Sequence, residues 1–101
     1  MSNHIETICV QGGYRPGNGE PRQVPIIQST TFKYESSADM AKLFDLEAEG
    51  YFYSRLQNPT CDHTAKKIAE LEGGTAAMLT SSGQAANFYA VFNIASCGDH
   101  V

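Results

Sequence analysis

The 101-residue chain has no Cys-x-x-Cys pair, no cysteine and histidine at zinc-ligand spacing, no excess of basic residues and no long apolar run. Without the first two, a structural metal is not expected. The three cysteines, Cys9, Cys61 and Cys97, are far apart and odd in number, which suits reduced thiols in a cytosolic protein. Seven basic against eleven acidic side chains leave a formal net charge of −4. Bulk electrostatics of that sign hold no polyanion, so nucleic acid is not an expected partner, although a local site could still bind a small anion. No apolar stretch approaches the roughly 20 residues that cross a bilayer. The opening MSNHIETICV has neither the basic start nor the apolar core of a secretory signal. A soluble, cytoplasmic protein with no membrane partner is therefore expected. Hydrophobic residues at 42% and charged residues at 18% are a globular balance, and the length suits one small domain rather than two.

What is present divides near residue 58. In residues 1–10, Ile5, Ile8 and Cys9 recur at helical spacing and predict one or two turns of helix that dock elsewhere. Residues 12–25 hold four glycines and three prolines and are too irregular for a regular element. Val24-Pro25-Ile26-Ile27 and the β-favouring Ser29-Thr30-Thr31-Phe32 then read as an extended arm. An arm this poor in local contacts needs a surface to lie on, and either a neighbouring subunit or its own chain as an ordinary long loop would serve. Ser36-Ser37-Ala38-Asp39 opens a helix, with a serine cap and an acidic residue three positions on. Met40, Leu43 and Phe44 form its apolar stripe, Lys42, Asp45 and Glu49 its solvated side, and its end is expected before Gly50.

The aromatic run Tyr51 to Gln57 leads into Asn58-Pro59-Thr60, a strong helix start with asparagine as cap and proline at the first position. Ala65, Ile68, Ala69 and Leu71 supply the expected buried face, and Gly73-Gly74 the stop. Thr75 to Thr80 is short and apolar between glycines and serines, which predicts a buried parallel strand. After Ser81-Ser82-Gly83-Gln84 comes AANFYAVFNIA, apolar nearly all round and therefore expected to be buried on most sides, with Phe88, Tyr89 and Phe92 as core residues. Gly98-Asp99 predicts a turn and His100-Val101 the beginning of another strand. Helix, strand, tight turn, buried helix, strand is the opening of an α/β doubly wound domain. One strand and a fraction make no sheet, so the chain is expected to be part of a larger fold.

Two features carry chemistry. At the junction of strand, Ser82-Gly83 and helix, unpaired N–H donors and the positive end of the helix dipole suit a phosphate or carboxylate, and Gly83 permits close approach. Many helices begin with Ser-Gly and bind nothing, and no Gly-Lys-Ser/Thr is present to make a Walker loop. The second feature is Arg55 in Tyr53-Ser54-Arg55. Its planar fork of donors suits bidentate phosphate contact with the tyrosine hydroxyl alongside, while the plainer reading is a surface arginine stacked on its aromatic neighbours. Cys61, Asp62 and His63 do not read as a catalytic group, because adjacent residues on a helix point apart.

Together, Tyr53-Ser54-Arg55, Asn58-Pro59-Thr60, Leu71-Glu72-Gly73-Gly74 and Ser82-Gly83-Gln84-Ala85-Ala86 resemble the Cys/Met-metabolism family of fold-type-I pyridoxal-phosphate enzymes. Upstream, Pro25-Ile26 and Gln28-Ser29-Thr30-Thr31-Phe32 look like that family's N-terminal arm, so the resemblance spans almost the whole chain. It implies an aspartate aminotransferase-like α/β fold, with residues 1–58 as arm and intersubunit segment and 59–101 as the truncated start of the large cofactor-binding domain. It further implies that Tyr53 and Arg55 reach the phosphate of pyridoxal 5'-phosphate in a neighbouring subunit. Ser82, Gly83 and Gln84 would bind the phosphate of their own subunit, chiefly through the N–H groups of Gly83 and Gln84. The implied partners are a small amino-acid substrate and further copies of the chain, in a dimer that shares active sites and pairs into a tetramer.

Gln84, together with Leu43-Phe44-x-Leu46 seven residues ahead of Tyr53, looks most like the O-acetylhomoserine sulfhydrylases of the family, which implies replacement of acetate by sulfide at Cγ to give homocysteine. Methionine γ-lyases and the cystathionine enzymes are the alternatives within the family. Outside it, a short non-catalytic piece that binds a phosphate compound or a partner subunit is the competing class. The lysine that bonds the cofactor aldehyde, the aspartate at the pyridine nitrogen, the ring-stacking tyrosine and the arginine for the substrate carboxylate belong to later segments of the family, so no residue of this chain is assigned a catalytic role.

Overall fold

The strongest local signals lie around Asn58-Pro59, and the helix they start is the one on which the rest of the chain is arranged. The computed structural model describes residues 3–101; Met1 and Ser2, which open the segment read as a docking helix, lie outside the described residues. Four helices occur among these residues, α1 (Ile5–Gln11), α2 (Ser37–Phe44), α3 (Pro59–Glu72) and α4 (Gly83–Phe92). In α3, Asn58 is the cap and Pro59 takes the first turn, where a missing N–H costs nothing. Gly73 ends the helix in the left-handed region at φ 66. Its N–H donates to Glu70 O at 3.4 Å and that of Gly74 to Ala69 O at 2.9 Å, so two of the last carbonyls are satisfied.

Residues 63, 67 and 70 recur at one-turn spacing along α3, and this row holds the N-terminal segment. Lys67 Nζ donates to Cys9 O at 3.1 Å, and Gly13 N donates to Glu70 Oε1 at 3.2 Å. His63 Nδ1–H donates to Gly13 O at 3.1 Å, while the His63 ring meets Tyr14 edge-on at 4.7 Å between centroids. The docked helix expected at the N-terminus is therefore present, and α3 is the surface it docks on; α1 with α3 is the one helix pair in contact among the described residues.

The arm lies on its own chain. Thr60 Oγ1 donates to Pro25 O at 2.8 Å and accepts from Ile27 N at 3.0 Å. Farther along, Thr31 pairs antiparallel with Tyr53, flanked by Phe32 N to Phe52 O at 3.3 Å and Ser54 N to Thr30 O at 2.9 Å. This one bridge is all the β pairing among the described residues.

The predicted strand at 75–80 and the second at His100-Val101 are not strands here, and the described chain is helical with irregular connections. A strand exists only through a ladder to a neighbour, and the bridge at Thr31 lies elsewhere. The helix opened by Ser36 also differs from expectation. Ser36 caps it as read, with Oγ accepting from Asp39 N at 3.1 Å, but it stops at Phe44. Leu46 takes the left-handed region at φ 58; its N–H donates to Leu43 O at 3.3 Å and that of Glu47 to Lys42 O at 2.8 Å. This is the same wrap that closes α3, made with leucine where sequence rules look for glycine. Asp45 and Glu49 thus lie beyond the helix whose solvated side they were expected to share. Phe44 turns to Phe52, ring centroids 4.5 Å apart, and Leu43 is buried as expected.

The expected cores of α3 and α4 are only partly formed. Ala65 and Ala69 are buried, whereas Ile68 and Leu71 are exposed. On α4, Phe88, Tyr89 and Phe92 are all at least half exposed, which corrects their reading as core. The physical reason is a lack of covering surface. A compact 100-residue domain has a radius of gyration of about 13 Å, and this chain has 16.8 Å. A compact protein of 11.0 kDa exposes about 5,600 Å², and this one exposes 8750 Å². The turn at Gly98 is formed as read, with Ser96 N donating to Asp99 Oδ2 at 2.7 Å.

Gly13 and Gly19 both sit at positive φ, 78 and 80. A Cβ on Gly19 meets nothing, whereas one on Gly13 would lie 2.4 Å from His63 O and 2.5 Å from Lys67 N. Gly19→Ala should therefore cost only the left-handed penalty of about 1–2 kcal/mol. Gly13→Ala should cost about 1–3 kcal/mol more, because α1 must lift off α3. Denaturant midpoints of the two variants check this, and equal losses would show that the close approach at Gly13 is not limiting.

Candidate anion-binding site

The turn that carries Arg55 is fixed from three sides. Ser54 N–H donates to Thr30 O, and Ser54 Oγ donates to Ser29 O. Asn58 Nδ2 in turn donates to Ser54 Oγ at 3.0 Å and to Ile27 O at 3.0 Å, while Asn58 Oδ1 accepts from Thr60 N at 2.9 Å. Asn58 is buried, and every polar atom of its carboxamide is bonded. On either side of the pinned Ser54, Tyr53 and Arg55 meet. The Arg55 guanidinium carbon lies 5.2 Å from the Tyr53 ring centroid, and Nη2 donates to the tyrosine hydroxyl at 3.3 Å. The stacked arginine of the plainer reading is thus what forms, and it sets a guanidinium and a phenol hydroxyl side by side with Arg55 open to solvent.

The second group is at the start of α4. Ser82 Oγ accepts from Ala85 N at 3.1 Å and caps the helix. The N–H groups of Gly83 and Gln84 find no acceptor among the described residues, and a Cβ placed on Gly83 would meet nothing within 4 Å. Two free donors at the positive end of a helix, reached over a glycine, have the chemistry a phosphate monoester needs. Ser82 Oγ is only an acceptor in the cap, so its own O–H remains a third donor at this helix start. No hydrogen bond joins this group to Tyr53 and Arg55.

Two interactions had little or no signal in the sequence. Asn58 was legible as a cap, but its second role as clamp on Ser54 and Ile27 depends on where the arm returns. Tyr51 donates to Asp62 Oδ2 at 2.9 Å, and Tyr34 donates to Tyr51 O at 2.6 Å. Partial burial, then the hydrogen bond to Asp62 and the negative charge it carries, push the Tyr51 phenol up to about 12. Asp62 and His63 are thus engaged with Tyr51 and Gly13 respectively, and Cys61 beside them is exposed. No group of three or more His, Cys, Asp or Glu among the described residues could hold a metal, and no helix among them is long and apolar enough to cross a membrane.

An open pair of donors at a helix start and a paired tyrosine and arginine are the two candidate donor groups that the chain presents. Its kinship is more definite. The chain belongs to the Cys/Met metabolism PLP-dependent enzyme family, whose model matches residues 6–101. It is 44% identical to the homocysteine/cysteine synthase of Kluyveromyces lactis, an alignment that takes in 100% of this chain and 23% of that protein. With O-acetyl-L-homoserine sulfhydrylase 1 of Thermus thermophilus it shares 44% identity over 96% of this chain and 23% of the relative. Its fold matches that of a candidate O-acetylhomoserine (thiol)-lyase from Campylobacter jejuni, with a TM-score of 0.86 and 39% identity. That match covers 96% of this chain and 23% of the neighbour, which carries N'-pyridoxyl-lysine-5'-monophosphate at its position 205. The chain therefore spans about a quarter of the length of the proteins it matches.

A tyrosine whose phenol is raised stays protonated in the folded protein after it would ionise in the unfolded one. Its contribution to stability is complete below pH 10 and is lost as pH rises from 10 towards 12. A phenolate difference titration of the parent protein against Tyr51→Phe should show one tyrosine ionising near 12. Asp62→Asn, which removes the negative charge, should bring that ionisation down. A Tyr51 transition that ignores Asp62 would show that the contact contributes nothing.

Proposed function

We propose that the protein carrying this chain is a pyridoxal-phosphate-dependent O-acetylhomoserine sulfhydrylase, converting O-acetyl-L-homoserine and sulfide into L-homocysteine and acetate. The observation that carries the reading is the identity to proteins named O-acetylhomoserine sulfhydrylase or homocysteine synthase, between 41% and 44% over at least 95% of the chain and 48% over 79% of it. In the reaction a C–O bond at Cγ breaks, releasing acetate, and a C–S bond forms in its place. The cofactor, when bound, supplies the electron sink that lets protons leave Cα and Cβ.

This chain's own part is to anchor. Gly83 and Gln84 hold the phosphate of one subunit through backbone N–H groups, with Ser82 keeping the helix start in shape. Tyr53 and Arg55 reach the phosphate bound by a neighbouring subunit, which accounts for two donor groups that do not join within one chain. In this reading the lysine that bonds the cofactor aldehyde is not contributed by any residue of this chain. The same reading makes residues 1–58 an intersubunit arm and 59–101 the opening of an α/β domain, in which 75–80 becomes a strand once neighbours pair with it. The exposed faces of α3 and α4 are then covered. The assembly is a dimer with shared sites that pairs into a tetramer, in the cytoplasm.

Sulfide-dependent homocysteine formation from O-acetylhomoserine, measured beside methanethiol release from methionine, separates this reading from a methionine γ-lyase. Two of the relatives are named homocysteine/cysteine synthases, so O-acetylserine is the third substrate to test. Homocysteine formation should dominate. Methanethiol release as the main activity would overturn the assignment. Arg55→Ala should raise the cofactor dissociation constant about tenfold to a hundredfold, as expected for loss of a hydrogen bond to a charged group. It should also shift the assembly towards smaller species on sizing. Unchanged cofactor affinity would remove Arg55 from the site.

A further inference from the structure

Asn58 is the one buried polar residue among the described residues, 8% exposed. Capping α3 uses only Oδ1, and a serine or aspartate in its place would cap as well. The Nδ2 group does something else. It donates to Ile27 O in the arm and to Ser54 Oγ in the turn, so one side chain ties together the arm, the turn and the start of α3. Ser54 is the residue between Tyr53 and Arg55, and its own N–H and hydroxyl are bonded to Thr30 O and Ser29 O. The side chains on either side of it are hydrogen-bonded only to each other, Arg55 Nη2 to Tyr53 Oη at 3.3 Å. A solvent-facing arginine carries about 2 kcal/mol of rotamer freedom. Fixing the backbone at Ser54 leaves those rotamers free but sets where both side chains start, so no backbone freedom has to be lost there when an anion arrives.

We infer that Asn58 is a positioning residue for phosphate binding, acting through Nδ2 on Ser54 to hold Tyr53 and Arg55 convergent. It touches no ligand itself. The inference rests on the proposed role of Tyr53 and Arg55, and one set of measurements separates the two. In the full-length protein, dissociation constants are measured for pyridoxal 5'-phosphate and for pyridoxal, which has the same ring and aldehyde without the phosphate. Asn58→Ser keeps the helix cap and loses both Nδ2 bonds.

The expected result is a loss of about tenfold or more for the phosphorylated form with pyridoxal little changed, the scale of a hydrogen bond to a charged group. Ser54→Ala should give the same selective loss, and the double variant should lose little more than either single one. Equal weakening of both forms would make Asn58 a general support of the fold and overturn the inference, as would no weakening at all. If Asn58→Ser does not fold, Ser54→Ala decides by the same criterion. Arg55→Ala is the control. A selective loss there without one at Asn58 and Ser54 sinks this inference alone, whereas no selective loss at Arg55 sinks the site assignment beneath it.

Discussion

The carboxamide of Asn58 is the constraint on which this structure depends. A buried amide left with an unbonded donor or acceptor costs about 1–3 kcal/mol, so its three bonds are an all-or-none arrangement. With all three made, the start of α3, the turn at Ser54 and the arm at Ile27 have one relative position. Thr60, two residues on, repeats the device with a hydroxyl that accepts from Ile27 N and donates to Pro25 O. Backbone of the arm and of the α3 start, with the Ser54 hydroxyl of the turn, is thereby held by two side chains at the start of one helix. An apolar contact could bring the same segments together, but it could not fix their register to within a hydrogen-bond length.

Membership of the Cys/Met metabolism PLP-dependent enzyme family gives the arrangement its context. A chain that exposes 8750 Å² and leaves an apolar helix uncovered is not a finished hydrophobic unit. Its helix ends are nevertheless well formed: α2, α3 and α4 are each capped by a side chain at the N-terminus, and α2 and α3 are closed by the same backbone wrap. Local hydrogen bonding is decided by near neighbours in sequence and needs no core, whereas burial needs the rest of the fold.

The same division explains what could be read in advance. Ser36, Asn58 and Ser82 were legible as caps because the chemistry of a helix start lies within three residues of it. Gly73 was legible as a helix stop and Gly98 as a turn because their backbone angles favour glycine. The stop at Leu46 was not, since leucine gives no sign that it will take a left-handed angle, and α2 was read too long. The run at 75–80 was read as a strand from its composition, but a strand needs a second segment to bond with. The segment of α4 was read correctly as a helix apolar nearly all round and placed wrongly as core. Of the candidate site residues, Tyr53 and Arg55 were singled out from their chemistry and do meet in the structure. Gly83 and Gln84 were singled out from the helix start, where their N–H groups are open. The clamp at Asn58 escaped because the atoms it holds are 31 residues away on one side and four on the other.

The bonds from α3 to the upstream chain span very different loops. The arm is joined at separations of 31 to 35 residues, and the N-terminal segment at 50 to 58. Closing a flexible loop costs entropy that grows only as the logarithm of its length, so the longer closure is dearer by just about 0.4 kcal/mol. Distance along the chain therefore hardly ranks the two dockings. The ranking is left to the partners at each place: two buried or half-buried side chains at the arm, against a lysine, a histidine and a glutamate on the more open flank. A helix that caps both its own ends can act as the fixed post to which either segment returns, in whichever order thermal motion brings them.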